Sequence, residues 1–259
     1  MNDLFIGGGG YSGIIFIGAL EFIHEKKLLE LKNFYGCSIG SLIGCLYISG
    51  FTPKTMLSKF LDINLEEIVK YDFNNLSTGN FIIDNILLDK LTSFLWENNP
   101  EDITLSQFSI KYDVNVNIYT TNITRNLYTN FNNIEYPDVK LKDAIKASMS
   151  IPFLFKPVTI GGDMYIDGCC KSFYGAPPPE IYICGYSLIL NRQISSDTSY
   201  AYKVITSMVN HFKPRSTFLI ECENLLDAST YLNLNKLSIK NILDMYKLGI
   251  SQAKNCLKD

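Results

Sequence analysis

Five residues, Gly36-Cys37-Ser38-Ile39-Gly40, constrain this chain more than any other feature. They stand between an apolar strand-like run and an apolar helix-like run, in the pattern G-x-S-x-G. A strand that passes at once into a helix leaves no space beside the turning residue, so its flanking residues must be small. The turn pushes the serine hydroxyl out at the carboxyl edge of a sheet and at the amino end of a helix. Gly40 and Gly44, four residues apart, allow that helix to approach the sheet closely.

Two further motifs give this turn company. Asp3-Leu4-Phe5-Ile6 reads as a strand, Gly7-Gly8-Gly9-Gly10-Tyr11-Ser12-Gly13 as a turn, and Ile14 to Leu20 as the start of a helix. Strand, glycine turn and helix together build an anion cradle, because backbone N–H groups can face a cavity where no Cβ blocks them. The cradle suits the oxyanion formed when a serine attacks a carbonyl. It also suits a phosphate, since Gly8 to Gly13 fits G-x-G-x-x-G. Against a P-loop, no Gly-Lys-Ser/Thr follows. Against a dinucleotide loop, the second strand-like segment runs straight into the serine turn without the acidic residue such a loop wants. Later, the apolar segment Met164-Tyr165-Ile166 ends in Asp167-Gly168, a carboxylate held on a turn. An isolated Asp-Gly is an ordinary β-turn; here it follows a nucleophile turn and a cradle.

These blocks, with Ala147-Ser148-Met149-Ser150-Ile151-Pro152-Phe153-Leu154-Phe155-Lys156-Pro157-Val158 between the second and the last, resemble those of the patatin-like phospholipases, in family order. The resemblance covers about residues 4 to 185. It implies a three-layer α/β/α fold with a central mixed, mostly parallel sheet and a nucleophile elbow. It implies a serine–aspartate dyad without histidine, in which Ser38 is the nucleophile and Asp167 its base. Gly8, Gly9 and Gly10 would form the oxyanion hole, with Gly13, Gly36, Gly40 and Gly168 as motif glycines. The implied reaction is hydrolysis of glycerolipid or phospholipid acyl esters without metal or cofactor, at a membrane or lipid-droplet surface contacted peripherally. The chain departs from the family pattern at Ser12, where a basic residue is usual, and at Cys169, where Gly or Ala follows Asp-Gly. The stretch Lys171 to Pro179 lacks the asparagine often found after the aspartate, so a differently shaped acyl pocket is expected there.

Two other functions fit parts of the pattern. One is a Ser–Asp–His triad in the chain order Ser38, Asp167, His211, acting on soluble esters; a histidine at a helix end is equally explained by the helix dipole. The other is a lipid-binding protein that keeps the motifs as scaffold.

With 259 residues, 47% of them hydrophobic, the chain suits a single domain over 1–259. A helical cap-like segment is expected over about 52–100, and a C-terminal strand and helices over about 186–259. The net charge of −3 and the absence of a basic run exclude nucleic acid as a natural partner and a polybasic membrane patch. Seven cysteines, an odd number without C-x-x-C, and no signal peptide suggest reduced thiols in a cytoplasmic protein. Two histidines and no ligand spacing give no zinc site, and no carboxylate spacing suits calcium. Residues 33–53 carry no charge, yet their glycines and their strand-and-turn opening fit a buried helix beneath the site better than a membrane span.

Periodicity places further elements: helices over about Gly13–Lys27, Leu141–Met149, Ser199–His211 and Ser238–Leu257, and a largely helical Leu61–Trp96 broken near Ser77–Asn80. A hairpin joins Asp113–Thr121 to Arg125–Phe131. A second joins Phe155–Ile160 to Met164–Ile166 about Gly161-Gly162. Leu105–Phe108 reads as a short turn, and Ile181–Cys184 and Thr217–Ile220 as short buried strands. In the last helix, Ile239, Ile242, Leu243, Tyr246 and Ile250 form the stripe expected to face the core. Phe51, Phe60, Phe81, Phe94 and Trp96 either line an acyl channel or fill the cap.

Overall fold

The structure, a computed structural model, describes residues 1–68, 85–191, 211–223 and 238–257. Its strands are β1 (Asp3–Ile6), β2 (Asn33–Cys37), β3 (Asn115–Asn122), β4 (Leu127–Asn132), β5 (Val158–Ile160), β6 (Asp163–Asp167), β7 (Tyr182–Asn191) and β8 (Arg215–Glu223). Its helices are α1 (Ile14–Glu25), α2 (Ile39–Ile48), α3 (Pro53–Leu61), α4 (Leu65–Ile68), α5 (Ile86–Ser93), α6 (Leu105–Tyr112), α7 (Leu141–Met149) and α8 (Ile239–Cys256). The strands form one sheet in the order β5-β6-β3-β2-β1-β7-β8, with β4 paired to β3. The β1, β2, β3, β7 and β8 pairings are parallel, and β4, β5 and β6 enter antiparallel. The sheet is therefore mixed, and helices flank it in the three-layer α/β/α arrangement.

β1 shows how the sequence builds the centre. All four of its residues are buried. Side chains alternate across a strand, so Leu4 and Ile6 join the large core that also holds α1, α2, α3, α7 and α8 residues. Phe5 points the other way, into a smaller cluster with Ala176, Ile183 and Ile189. A strand apolar on both faces belongs in the middle of a covered sheet.

α1 and α8 cross backbone to backbone. A Cβ on Gly18 would lie 2.0 Å from Tyr246 O, and one on Gly249 would lie 1.9 Å from Ile15 O. α8 starts at a capping box in which Ser238 and Asn241 hold each other's backbone N–H. Its buried face is Ile242, Met245, Tyr246, Gly249 and Ala253, while Ile239 is 65% exposed. The expected stripe holds at Ile242 and Tyr246, with Leu243 and Ile250 half-buried against the core, and only Ile239 in the first turn lies outside it.

Leu105–Phe108 is no turn but the start of α6, nucleated by a capping box of Thr104 and Gln107. β7 and β8 are longer than expected, ten and nine residues, since β7 pairs on both sides with β1 and β8. Of the helix expected over Ser199–His211, residues 199–210 lie outside the described residues, as do Phe81 and the expected break at Ser77–Asn80. Among the described residues, no helix is long and apolar enough to cross a membrane.

Candidate active site

β3 is the ruler that brings Ser38 and Asp167 together. β2 runs parallel to it and ends with Cys37 opposite Tyr119. β6 runs antiparallel along the same strand and ends with Asp167 opposite Thr120. The carboxyl ends of two strands thus meet at adjacent register positions, so the residue after β2 faces the residue closing β6. Ser38 Oγ donates to Asp167 Oδ2 at 2.5 Å. The two residues are 4% and 3% exposed, which leaves little water to screen the contact.

The nucleophile turn is sterically forced. Ser38 adopts φ 53° and ψ −133°, a region that a residue with a Cβ enters at a cost of about 1–3 kcal/mol. Its carbonyl accepts from Ser41 N at 2.9 Å and from Ser41 Oγ at 2.6 Å, which starts α2 immediately. The approach to β1 explains the second motif glycine: a Cβ on Gly40 would lie 2.3 Å from Ile6 O and 2.5 Å from Gly7 O. Gly36 is equally confined, its Cβ position 2.7 Å from Ser41 Cα.

The same contact sets the glycine loop beside the amino end of α2. Gly8, Gly9 and Gly10 run from β1 into a single 3-10 turn, Gly10–Gly13, and Gly10 takes φ +51°. Gly13 packs its Cα against Ile39, the first residue of α2. The loop, the elbow and the start of α2 are thus one packed unit. Ser12, where a basic residue is usual, is completely buried.

On the other side, Asp167 is fixed by polar contacts. Its Oδ1 accepts from Cys169 N at 2.8 Å, its carbonyl from Thr121 Oγ1 at 3.0 Å, and its own N–H donates to Ser150 O at 2.9 Å. Gly168 lets this turn lie on β3, with its Cβ position 2.5 Å from Tyr119 O.

One positioning residue lay unrecognised in the sequence. Ser148, buried on α7, accepts from Ser38 N at 2.8 Å and donates to Tyr119 O at 2.7 Å. It fills the gap in the β3 ladder where β2 stops and β6 has not begun. Its signal was its place in the Ala147–Val158 block, which marks family likeness but assigns no role.

Cys37, Asp167 and Cys169 bring their two sulfurs and a carboxylate oxygen within 4.8 Å of one another. No spacing rule anticipated this group, because Cys37 lies 130 residues before Asp167. Above it, Tyr128 Oη donates to Gly175 O at 2.9 Å and holds the 171–179 loop down, and burial raises that phenol well above its ordinary pKa. His211 precedes β8 with its ring 4.5 Å from that of Phe173. No imidazole stands between Ser38 and Asp167, whose contact is direct. A concavity of about 280 Å³ lined by His24, Tyr47 and Phe51 lies at the opposite end of α2 and contains none of these groups.

The patatin-like phospholipase profile matches residues 4–178. A probable lipid hydrolase of Invertebrate iridescent virus 6 is 28% identical over 173 residues, which span 64% of this chain and 59% of the relative. An uncharacterized protein of Acanthamoeba polyphaga mimivirus is 25% identical over 175 residues, 65% of this chain and 58% of the relative. The chain thus spans less than two thirds of the length of either. Among solved structures, VipD from Legionella pneumophila superposes with a TM-score of 0.59 at 14% identity, over 99% of this chain and 66% of that one. The type III effector ExoU of Pseudomonas aeruginosa does so with a TM-score of 0.53 at 15% identity, over 99% and 52%. These two likenesses concern the fold; the profile covers most of the chain and all of the site described above, and the chain belongs to the patatin-like phospholipase family.

Proposed function

We propose that this chain hydrolyses carboxylic esters of glycerolipids or phospholipids through a Ser38–Asp167 dyad and an acyl-enzyme. The direct 2.5 Å hydrogen bond between Ser38 Oγ and Asp167 Oδ2 is the observation that carries the reading. Membership of the family and the probable lipid hydrolase among its relatives support the lipid class. One domain with its catalytic core over about 4–185 would carry the whole reaction.

Asp167 takes the Ser38 proton as Oγ attacks the ester carbonyl. The carbonyl oxygen gains the negative charge and is received by the N–H groups of Gly8, Gly9 and Gly10, beside the amino end of α2, whose dipole favours an anion. As the tetrahedral intermediate collapses, Asp167 returns the proton to the departing alcohol and the acyl group stays on Oγ. Asp167 then takes a proton from water, hydroxide attacks the acyl carbon, and Ser38 recovers its proton as the fatty acid leaves. Oδ1 stays anchored on Cys169 N throughout, so only Oδ2 needs to exchange protons. Each buried acyl methylene contributes about 0.8 kcal/mol, so long chains presented at a lipid surface should be preferred over short soluble esters.

The test is Ser38→Ala. An active-site-directed fluorophosphonate should label the wild type at Ser38 and leave the variant unlabelled, and release of fatty acid from long-chain phospholipid vesicles should vanish while circular dichroism is unchanged. Undiminished labelling or hydrolysis in the variant would overturn the assignment.

A further inference from the structure

The residue before the nucleophile and the residue two after the base are both cysteines, and their sulfurs lie 3.8 Å apart. We propose that Cys37 and Cys169 are an oxidation site: a peroxide joins them in a disulfide that pulls the base away from Ser38 and switches the hydrolase off reversibly. The loss of activity rests on the dyad reading above; the formation of the bond does not.

The two thiols differ in access. Cys37 is completely buried, whereas Cys169 is half-buried on the 3-10 turn after β6. Cys169 is thus the thiol a small oxidant reaches. Its sulfur attacks hydrogen peroxide, giving a sulfenic acid and water. Cys37 sulfur then attacks that sulfur; the hydroxyl leaves with the Cys37 proton as a second water, and the disulfide forms. In sum, two thiols and one peroxide become one disulfide and two waters. A dithiol reductant supplies the two electrons and two protons that reverse it.

The geometry decides which part moves. A disulfide needs a separation of about 2.05 Å, so the sulfurs must close about 1.8 Å. Cys37 ends β2, held in the sheet between β1 and β3. Its sulfur is also boxed in, since Cβ atoms on Gly168 and Gly175 would lie 2.6 and 2.5 Å from it. Cys169 has the freer environment, so the approach falls on the Gly168–Cys170 turn. The N–H of Cys169 is the donor that anchors Asp167 Oδ1. A carboxylate that loses this anchor is free to turn Oδ2 away from Ser38. Misplacement of a reacting group by 1 Å costs on the order of 10²-fold in rate.

Burial disfavours the reactive thiolate at three other cysteines. Cys45 is buried in α2, with its thiol pushed up by burial, and Cys170 is pushed up the same way. Cys222 is pushed up to about 12, again by burial.

The experiment treats the purified full chain with stoichiometric hydrogen peroxide, then follows ester hydrolysis and maps the products by mass spectrometry without reduction. Expected are a loss of two hydrogens, a cross-link between the tryptic peptides 33–54 and 147–171 that fragmentation places at Cys37 and Cys169, and at least a tenfold fall in activity. Dithiothreitol should restore that activity. Within each variant, the ratio of activity before and after peroxide should approach one for Cys37→Ala and for Cys169→Ser and stay low for Cys170→Ser. If one variant fails to fold, the wild-type map and the other variant still decide. A cross-link elsewhere, over-oxidation of Cys169 without a cross-link, or a Cys37–Cys169 bond with undiminished hydrolysis would overturn the proposal. A reduced protein that forms the bond but hydrolyses nothing would sink the proposed function and leave the oxidation site standing.

Discussion

On the β1–β2 side of the site, position is set by contact between backbones; on the β3–β6 side, it is set by hydrogen bonds. Gly40 holds α2 so near β1 that a Cβ would stand 2.3 Å from Ile6 O, and the elbow has no freedom left. Asp167 instead hangs on a set of donors and acceptors, Cys169 N, Thr121 Oγ1 and Ser150 O, with Ser148 bridging to the elbow. Steric placement is strict and fails abruptly. Polar placement is graded, because each hydrogen bond can be removed singly, at a cost of about 1–3 kcal/mol where a buried partner is orphaned. In the proposed mechanism, the base that must accept and return a proton sits on the graded side, and the nucleophile that must not drift sits on the strict side.

Among changes that bear on this comparison, the largest effect should come from the proposed base on the graded side. Asp167→Asn keeps the size and the Cys169 N contact but removes the base. The kcat/KM for ester hydrolysis is expected to fall by 10²- to 10⁴-fold, roughly the contribution of a general base, with little change in Tm. A loss below tenfold would mean that Asp167 only positions Ser38.

Next, Gly40→Ala should break the strict side. The added methyl meets two carbonyl oxygens of the backbone, neither of which can rotate away. Urea unfolding is expected to show a cost of about 3 kcal/mol, with an activity loss of about 10²-fold as Ser38 is displaced. An active, fully stable variant would show that the helix has slack against β1.

Ser148→Ala tests the graded side. It orphans the Ser38 N–H and withdraws one donor from Tyr119 O, both buried. The expected penalty is about 1–3 kcal/mol in stability and roughly tenfold in kcat, since a partial shift costs less than a full ångström. Ser148→Thr, which keeps the hydroxyl, should recover part of both. Equal loss in the two variants would point to packing in place of the hydrogen bonds.

This difference also explains what the sequence made legible. Glycines in forced contacts leave a readable pattern, so Gly36, Ser38 and Gly40 stand out at once, and β1 and α2 follow from the apolar runs around them. Asp167 was legible only through the Asp-Gly turn in company. The groups around it were not: Ser150 and Thr121, which hold Asp167, and Ser148, which holds Ser38 N, are common residues whose roles depend on β3 register, which sequence spacing does not encode. The α8 stripe is legible in the apolar spacing at every position but Ile239, whereas the close crossing of α8 over α1 is not, because Gly18 and Gly249 set it. α6 looks like a turn from its short apolar content, and its capping box of Thr104 and Gln107 is what makes it a helix.

The smallest effect should be His211→Ala, and it bears on whether two sides are enough. In a triad, an imidazole stands between the serine and the carboxylate, which lie too far apart to touch. Here Ser38 Oγ and Asp167 Oδ2 are in direct hydrogen-bond contact, with no room for a ring between them. His211 is exposed ahead of β8, and its ring lies tilted 4.5 Å from that of buried Phe173. Losing that ring contact removes some packing and no proton carrier. The expected change in kcat is within about twofold, the range of a surface substitution of about 0.5 kcal/mol. The pH–rate profile should keep its shape, since His211 takes no part in the proposed proton transfers. A collapse of kcat comparable to that of Asp167→Asn, with the fold intact, would mean that a third group completes the site and that the direct contact is a resting state.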